Sequence, residues 1–257
     1  GFARLRAAGV AVEVGPGAAA SRELNIGFLS RMVRGTPWVR LKVAASLDGT
    51  TALHNGASQW ITSPAARVDG HAWRARACAV LTGIGTVLQD DPVLNVREVA
   101  TLRQPQLVVL DSHLQTPPDA SLFIADRACI IYAAGPLDAE FSARKAVLEA
   151  RGATVVHLPG ADGRVDLPAL LRDLAARGVN ELHVEAGHRL NGALVRAGLV
   201  DEWLLYLAPT LLGPGRGMAD MGPLDTLAQR LALEFQGVER VGPDLRILAR
   251  VKGRDQF

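Results

Sequence analysis

Apolar and polar positions repeat at two different spacings along the chain, and this predicts alternating strands and helices. Residues 38–46 alternate apolar with polar side chains. Short apolar runs bounded by Gly, Pro or Asp, typical of buried strands, occur at 77–82, 106–111, 128–133 and 154–158. Helical spacing covers 64–76, 139–151 and 167–177. Ser63 and Pro64 mark the start of the first of these helices, and a glycine follows each of the other two.

The second half of the chain repeats this alternation. Strand-like residues 181–185 precede a helical pattern at 190–197 and a further strand at 201–208. Residues 231–238 and 245–251 then suggest a closing antiparallel pair. The pattern predicts an α/β domain with a mostly parallel sheet and an antiparallel end.

The first 36 residues follow a different pattern. They contain a short helical stretch at 1–8, a strand-like stretch at 10–14, a Gly-Pro-Gly turn and a second helical stretch at 21–32. A segment of this length cannot bury its own apolar residues. We therefore expect it to pack on the main domain or to belong to something upstream.

Composition limits the kind of protein this can be. The chain has 257 residues, of which 49% are hydrophobic and 21% charged, which excludes a disordered or collagen-like protein. The net charge of +2 is too small to attract nucleic acid or anionic lipid, so an anionic ligand must be held locally. Cys78 and Cys129 form neither a disulfide framework nor a metal motif, which favours a reducing, cytoplasmic setting. The longest apolar runs fall short of the roughly 20 residues that a membrane span needs.

A lysine on a strand and three arginines on a helix are the first candidate ligand-binding residues along the chain. Lys42 is an inward-facing lysine on the strand 38–46; it either serves a ligand or carboxylate, or extends to solvent from an edge strand. The polar loop 58–63 leads into the helix that carries Arg67, Arg74 and Arg76. Arginines bind phosphate with two parallel hydrogen bonds, although a solvated helix face is the plainer alternative.

Two glycine-containing turns follow predicted strands. The turn at 83–92 begins like a dinucleotide fingerprint, but Leu88 replaces its third glycine, so an ordinary strand-to-helix turn is the alternative. Glu185 ends another strand before a turn at Gly187 and a helix start that could hold a pyrophosphate. A capping or salt-bridging role is the alternative for this carboxylate.

Metal and nucleophile chemistry have no matching pattern. The six histidines include no pair four residues apart, and an H-x-E with a downstream P-C-x-x-C, as in zinc deaminases, is absent. A G-x-S-x-G elbow is also absent. The remaining residues suit the binding of two phosphorylated molecules rather than hydrolysis.

Taken together, four motifs in this order resemble the reductase domain of the bifunctional deaminase/reductase of riboflavin biosynthesis. They are the segments 41–49 (LKVAASLDG), 58–63 (SQWITS), 83–92 (GIGTVLQDDP) and 184–187 (VEAG). The resemblance covers residues 37–257 and implies a fold similar to dihydrofolate reductase, with a mixed sheet flanked by helices. It implies NADPH-dependent reduction of 5-amino-6-(5-phosphoribosylamino)uracil to its ribitylamino product.

The resemblance also implies roles for individual residues. It places catalysis on Lys42 and Glu185, and does not divide the roles between them. Substrate contacts fall on Ser58, Arg74, Leu94, Arg97 and Glu185. Cofactor contacts fall on Ala44, Trp60, Thr86, Asp90, Ser112, Gly187, His188, Arg189, Leu190, Asn191, Gly192 and Ala193. No metal is expected.

Some features depart from the family pattern or extend beyond it. After Ser112, family members often carry a basic residue, but His113, Leu114 and Gln115 stand here, which weakens the expected pocket for a 2′-phosphate. Residues 1–36 resemble the end of the fused deaminase domain, without its zinc motif, and we expect that they cannot deaminate. Reduction of a pterin or dihydrofolate, or non-catalytic nucleotide binding, are the alternative functions. The exposed edge expected for the apolar C-terminal strands predicts a homo-oligomer.

Overall fold

The computed structural model describes residues 1–257, and strands and helices alternate through most of them. The strands are β1 (Trp38–Ser46), β2 (Ala52–Leu53), β3 (Ala79–Gly83), β4 (Gln106–Leu110), β5 (Cys129–Ala133), β6 (Ala153–His157), β7 (Glu181–Val184), β8 (Glu202–Ala208), β9 (Gly215–Arg216), β10 (Leu233–Val241) and β11 (Asp244–Val251). The helices are α1 (Phe2–Ala7), α2 (Ala18–Leu24), α3 (Ile26–Arg34), α4 (Pro64–Arg76), α5 (Ile84–Asp90), α6 (Ala139–Ala150), α7 (Leu167–Ala176) and α8 (His188–Arg196).

Nine strands form one sheet in the order β10-β11-β8-β1-β7-β3-β4-β5-β6. Seven of them, from β8 to β6 in that order, pair in parallel. Strands β11 and β10 add an antiparallel end. The predicted mixed sheet flanked by helices is therefore confirmed.

Each face of the parallel part is buried. Along β1, Leu41, Val43 and Ala45 point into a core cluster that includes Leu170 and Leu174 of α7. A second cluster joins β4 and β5 to Phe141 and Leu148 of α6. Because successive side chains of a strand point to opposite faces, the residues between the three core positions of β1, Lys42 and Ala44, face the other way.

Local signals explain the helix starts. The Ser63 side chain accepts a hydrogen bond from the Ala66 N–H at 3.3 Å, and Pro64 occupies the first turn of α4. Asp138 caps α6, and Asp166 caps α7. These side chains satisfy backbone donors that have no partner inside the helix.

The N-terminal prediction is partly wrong. The stretch 10–14 is not a strand, because no strand pairs with it and a lone strand leaves its backbone groups unpaired. The predicted single helix at 21–32 is two helices that meet at Asn25. Helices α1 and α2 bury no residue, whereas α3 buries Ile26, Gly27 and Ser30 and packs against β1.

Two smaller differences concern the main domain. Helix α8 begins at His188, two residues before the predicted start, and the two-stranded pairing of β2 with β9 was not predicted. Strands β2 and β9 have two residues each, which is too few to show an alternation of apolar and polar side chains. No helix combines the length and the apolar character needed to cross a bilayer.

Candidate active site

A large cleft opens where β1, β7 and β3 lie side by side. In open α/β sheets, ligands bind near the carboxyl ends of such strands. The cleft has a volume of about 1590 Å³ and is lined by residues of β1, α4, α5 and α8. The Glu185 N–H donates to the Leu81 carbonyl at 2.9 Å, which extends the pairing of β7 with β3 and fixes the Glu185 backbone at the cleft.

A carboxylate held by three cationic or potentially cationic side chains lies in this cleft. Arg74 Nε and Nη2 donate to Glu185 Oε1 and Oε2 at 2.8 and 3.0 Å. Lys42 Nζ lies 3.5 Å from Oε2, and His183 Nε2 lies 3.4 Å from Oε1. Because β1 lies between β8 and β7, the alternative that Lys42 extends from an edge strand is wrong.

These neighbours determine the charge of Glu185. Burial by itself raises the pKa of a carboxyl group, but Arg74, Lys42 and His183 together hold the pKa of Glu185 well below its usual value. Burial lowers the pKa of His183, whose ring is fully buried. The cluster at neutral pH is therefore a carboxylate anion, a neutral imidazole and two cations.

A second buried histidine borders the same cleft. His71 of α4 is 4% exposed, and burial, with Arg74 and Arg97 adding to it, lowers its pKa to about 4. The Arg97 N–H faces His71 Nδ1 at 3.4 Å. The Arg97 guanidinium is half exposed; it donates to Asn95 Oδ1 at 3.2 Å, and its one ion pair, with Glu98, is long at 3.6 Å. Arg97 is therefore free to bind an anion in the cleft.

The arginines of α4 have three different surroundings. Arg74 is buried and bonded to Glu185 and to the Asn95 carbonyl. Arg67 lies over the Trp60 ring at 4.5 Å, and Arg76 pairs with Glu181 at 2.9 Å. The alternative that they form one solvated face is wrong for Arg74.

The turn before α8 leaves room for a ligand. Gly187 has no atom within 4 Å of the position that a Cβ would occupy. Asn191 is 2% exposed and lines the cleft, and its Oδ1 has no hydrogen-bond partner. A buried acceptor without a partner is costly unless a ligand donates to it. These features fit the hydroxyl groups and phosphates of a dinucleotide.

The structure brings all but one of the predicted site residues to this cleft. The predicted catalytic and substrate residues there are Lys42, Glu185, Ser58, Arg74, Leu94 and Arg97. The predicted cofactor residues there are Ala44, Trp60, Thr86, Asp90, Ser112, Gly187, His188, Arg189, Leu190, Asn191 and Ala193. Gly192 is the exception, since it is buried in α8 against the backbone of Asp220.

Sequence reasoning gave no role to several polar residues of this region. His71, Gln89 and Arg216 line the cleft, and His183 lies under Glu185. His183 and Glu185 lie two positions apart on a predicted strand, so their shared face was available as a signal. Gln89 and Arg216 come together only through tertiary packing.

Comparisons with known proteins identify the family of this chain. Residues 37–247 match the family described as the RibD C-terminal domain. The riboflavin biosynthesis protein RibD of Escherichia coli K12 is 38% identical over 250 residues, which cover 95% of this chain and 68% of that protein. The chain thus spans about two thirds of the length of this relative.

Solved structures show the same likeness. Acinetobacter baumannii RibD (form 1) superposes with a TM-score of 0.83 at 35% identity, covering 96% of this chain and 67% of that one. A Thermotoga maritima chain, named a diaminohydroxyphosphoribosylaminopyrimidine deaminase/5-amino-6-(5-phosphoribosylamino)uracil reductase, shares the fold with a TM-score of 0.81 at 24% identity, covering 97% and 66%. The family match covers most of the chain, and the chain belongs to the RibD C-terminal domain family.

Proposed function

We propose that this chain reduces 5-amino-6-(5-phosphoribosylamino)uracil with NADPH to the ribitylamino product, as a reductase of riboflavin biosynthesis. The observation that carries the proposal is Glu185, a carboxylate fixed beside Lys42 in a cleft large enough for two phosphorylated molecules. Membership of the RibD C-terminal domain family supports it. The Thermotoga protein that shares the fold has this reductase activity in its name.

The reaction needs a hydride and a proton. The nicotinamide cofactor, when bound, supplies the hydride that forms the new C–H bond at C1′ of the open-chain imine. The electron pair of the C=N bond moves to nitrogen, which must gain a proton. The protein therefore has to orient the imine and deliver that proton.

We assign proton delivery to Lys42. Glu185 is an anion and holds no proton to give, and an arginine guanidinium does not release its proton in proteins. The Lys42 side chain remains 24% exposed, and it lines the cleft. Lys42 is thus the group that can donate to the imine nitrogen, and Glu185 can accept hydrogen bonds from the sugar hydroxyls.

Arg97 is the proposed ligand of the substrate 5′-phosphate. It lines the cleft on the side of His71, and a guanidinium pairs with phosphate through two charge-assisted hydrogen bonds. Arg74 donates to Glu185 and to the Asn95 carbonyl, and it thereby positions Glu185. Its remaining N–H groups are the proposed contacts with the substrate. Ser58 and Leu94 complete the proposed substrate wall.

The proposed cofactor residues are those that surround the α5 and α8 turns and the neighbouring strand ends. Asn191 and Gly187 offer a buried acceptor and an open backbone, as described above. Arg164 and Arg189 also line the cleft. A guanidinium is the usual partner of a 2′-phosphate, so these two arginines support NADPH over NADH. They would take the place of the basic residue that family members often carry after Ser112, where this chain has the neutral Gln115.

Cofactor oxidation that depends on the phosphoribosylaminouracil tests the proposal. We expect Lys42→Met to lower kcat by about 10²- to 10⁴-fold, as loss of a general acid does. The unfolding midpoint should change little, because Arg74 still pairs with Glu185. Arg144→Met, an exposed site on α6, is the matched control and should leave kcat unchanged. No turnover by the unaltered chain with this substrate would overturn the proposal.

Two other functions would give different results. Turnover of dihydrofolate in place of the aminouracil would indicate a pterin reductase, for which the phosphate-binding Arg97 has no use. Cofactor binding by titration without any turnover would indicate a non-catalytic module. We further propose a cytoplasmic setting, supported by the free thiols of Cys78 and Cys129, and residues 1–36 as the end of a deaminase domain.

A further inference from the structure

One loop of the cleft is fastened to α8 along its length. This loop, residues 213–220, is called the strap below. Asn191 Nδ2 donates to the Met218 carbonyl at 2.9 Å, and the Asp220 N–H donates to the His188 carbonyl at 2.9 Å. A Cβ on Gly192 would overlap the Asp220 backbone. The strap therefore follows the first turns of α8 at contact distance.

The other end of the strap is fastened to β2. The Thr51 N–H and hydroxyl donate to the Arg216 carbonyl at 2.7 and 3.1 Å. A Cβ on Gly215 would overlap the Ala52 carbonyl, so only glycine permits this pairing of β9 with β2. The backbone of Arg216 is consequently fixed from two sides.

The Arg216 side chain is directed into the cleft by further contacts. Its Nη1 donates to Gln89 Oε1 at 3.0 Å, and its Nη2 lies 3.4 Å from the position that a Cβ on Gly56 would occupy. It is half-buried and lines the cleft, and it takes part in none of the ion pairs of the structure. Gln89 accepts from one of its five N–H donors, and no carboxylate oxygen lies within ion-pair distance of the guanidinium.

Neighbouring groups show where this charge acts. Arg216 lowers the pKa of His188, after burial and Arg189, and it opposes the effect of burial on Asp90. His188 begins α8 and Asp90 ends α5. The bond to Gln89 of α5 and the bond from the strap to His188 place the guanidinium near both helix ends, and the free N–H groups of the first turn of α8 also favour an anion there.

We infer that Arg216 binds the diphosphate of the nicotinamide cofactor and that the strap holds Arg216 in position for this contact. The inference rests on the proposed function, because the cofactor is the diphosphate-bearing ligand of this cleft. A guanidinium that is held in place and has no ion-pair partner is available to a phosphate, which it can bind through two parallel charge-assisted hydrogen bonds. Asn191, which ties α8 to the strap, offers its partnerless Oδ1 to the same ligand.

Calorimetric titration of the full chain tests this inference without any turnover. The probes are NADP⁺, ADP-ribose, which keeps the diphosphate, and adenosine 2′-monophosphate, which lacks it. We expect Arg216→Gln to weaken NADP⁺ and ADP-ribose by about 10- to 100-fold and to leave adenosine 2′-monophosphate unchanged. Arg216→Lys should recover part of the loss. Arg240→Gln, an exposed arginine on β10, should change nothing.

The outcomes separate this inference from the function on which it rests. Failure of the unaltered chain to bind NADP⁺ overturns the proposed function and the inference together. Normal binding of NADP⁺ and ADP-ribose by Arg216→Gln overturns the inference alone. An equal loss of affinity for all three probes also overturns it, because such a loss indicates general damage to the protein. If Arg216→Gln does not fold, Arg216→Lys decides: ADP-ribose binding equal to that of the unaltered chain overturns the inference, and a several-fold selective loss supports it.

Discussion

Arg74 and Glu185 face each other with two parallel hydrogen bonds, Nε to Oε1 at 2.8 Å and Nη2 to Oε2 at 3.0 Å. Both side chains are largely buried. This geometry fixes both the position and the charge of the carboxylate next to Lys42. In the proposed reaction, Glu185 is therefore an acceptor throughout, and its orientation depends on an arginine from α4.

Removal of Arg74 should destabilise the fold as well as impair the reaction. Arg74→Met leaves the Glu185 carboxylate buried without its main partner, and breaking such a pair costs about 3–5 kcal/mol. Arg76→Met is the control on the same helix, because its partly exposed pair with Glu181 contributes less than about 1 kcal/mol. Urea unfolding at neutral pH measures both free energies.

An equal, small loss for the two variants would contradict this prediction. It would mean that the Arg74 pair contributes no more than a surface ion pair. Lys42 at 3.5 Å and His183 at 3.4 Å would then have to hold Glu185 without it.

The framework of the domain could be read from local patterns. Strand β1 and helix α4 have the predicted bounds, because an alternating run and a capped, proline-started helix are visible within a few residues. The four ordered motifs also predicted that Lys42 and Glu185 share one site. Periodicity, caps and glycine turns are encoded locally, and this explains their reliability.

Features that depend on distant partners could not be read in this way. The stretch 10–14 alternates like a strand, but a strand also needs a neighbour. Arg74 and Glu185 are separated by 111 positions, so their bond follows from packing of α4 on the sheet. Arg216 belongs to none of the four motifs, and the strap becomes recognisable through its contacts with β2 and α8.

Arg97 should contribute mainly to substrate affinity. Its half-exposed guanidinium has no short ion pair, so Arg97→Ala removes a phosphate ligand and leaves no buried charge behind. A charge-assisted hydrogen bond contributes about 1.5–3 kcal/mol, and we expect KM for the phosphoribosylaminouracil to rise about 10- to 100-fold. Steady-state kinetics at saturating cofactor measure the change. An unchanged KM would place the phosphate elsewhere in the cleft.

His71 should make the folded state sensitive to mild acid. Its pKa is about 4 in the folded chain and about 6.5 when unfolded, so the unfolded chain binds the extra proton between these values. Stability is therefore lost as the pH falls from 6.5 to 4, by up to about 3 kcal/mol. His71→Asn should flatten this part of the curve of unfolding free energy against pH.

Other groups around His71 remain the same in this comparison. The pKa of His71 is lowered by Arg74, Arg97 and Lys42 and raised by Glu185. All four of these groups are still present in His71→Asn. His183, also neutral when folded, keeps its own contribution in both proteins. His54→Asn, an exposed histidine, is the control and should retain the original slope. Identical slopes for all three proteins would show that His71 does not take part.

The free edge of β10 should bring two or more copies together. This strand ends the sheet, and it exposes Phe235 by 73% and Val238 by 55%. An apolar edge with unpaired backbone groups favours pairing with another chain. We expect sedimentation equilibrium to show a concentration-dependent oligomer and Phe235→Lys to shift it toward monomer. Val147→Lys, at an exposed apolar site on α6, should not shift it. A monomer at every concentration would contradict the prediction, because the edge would then be tolerated in water without a partner.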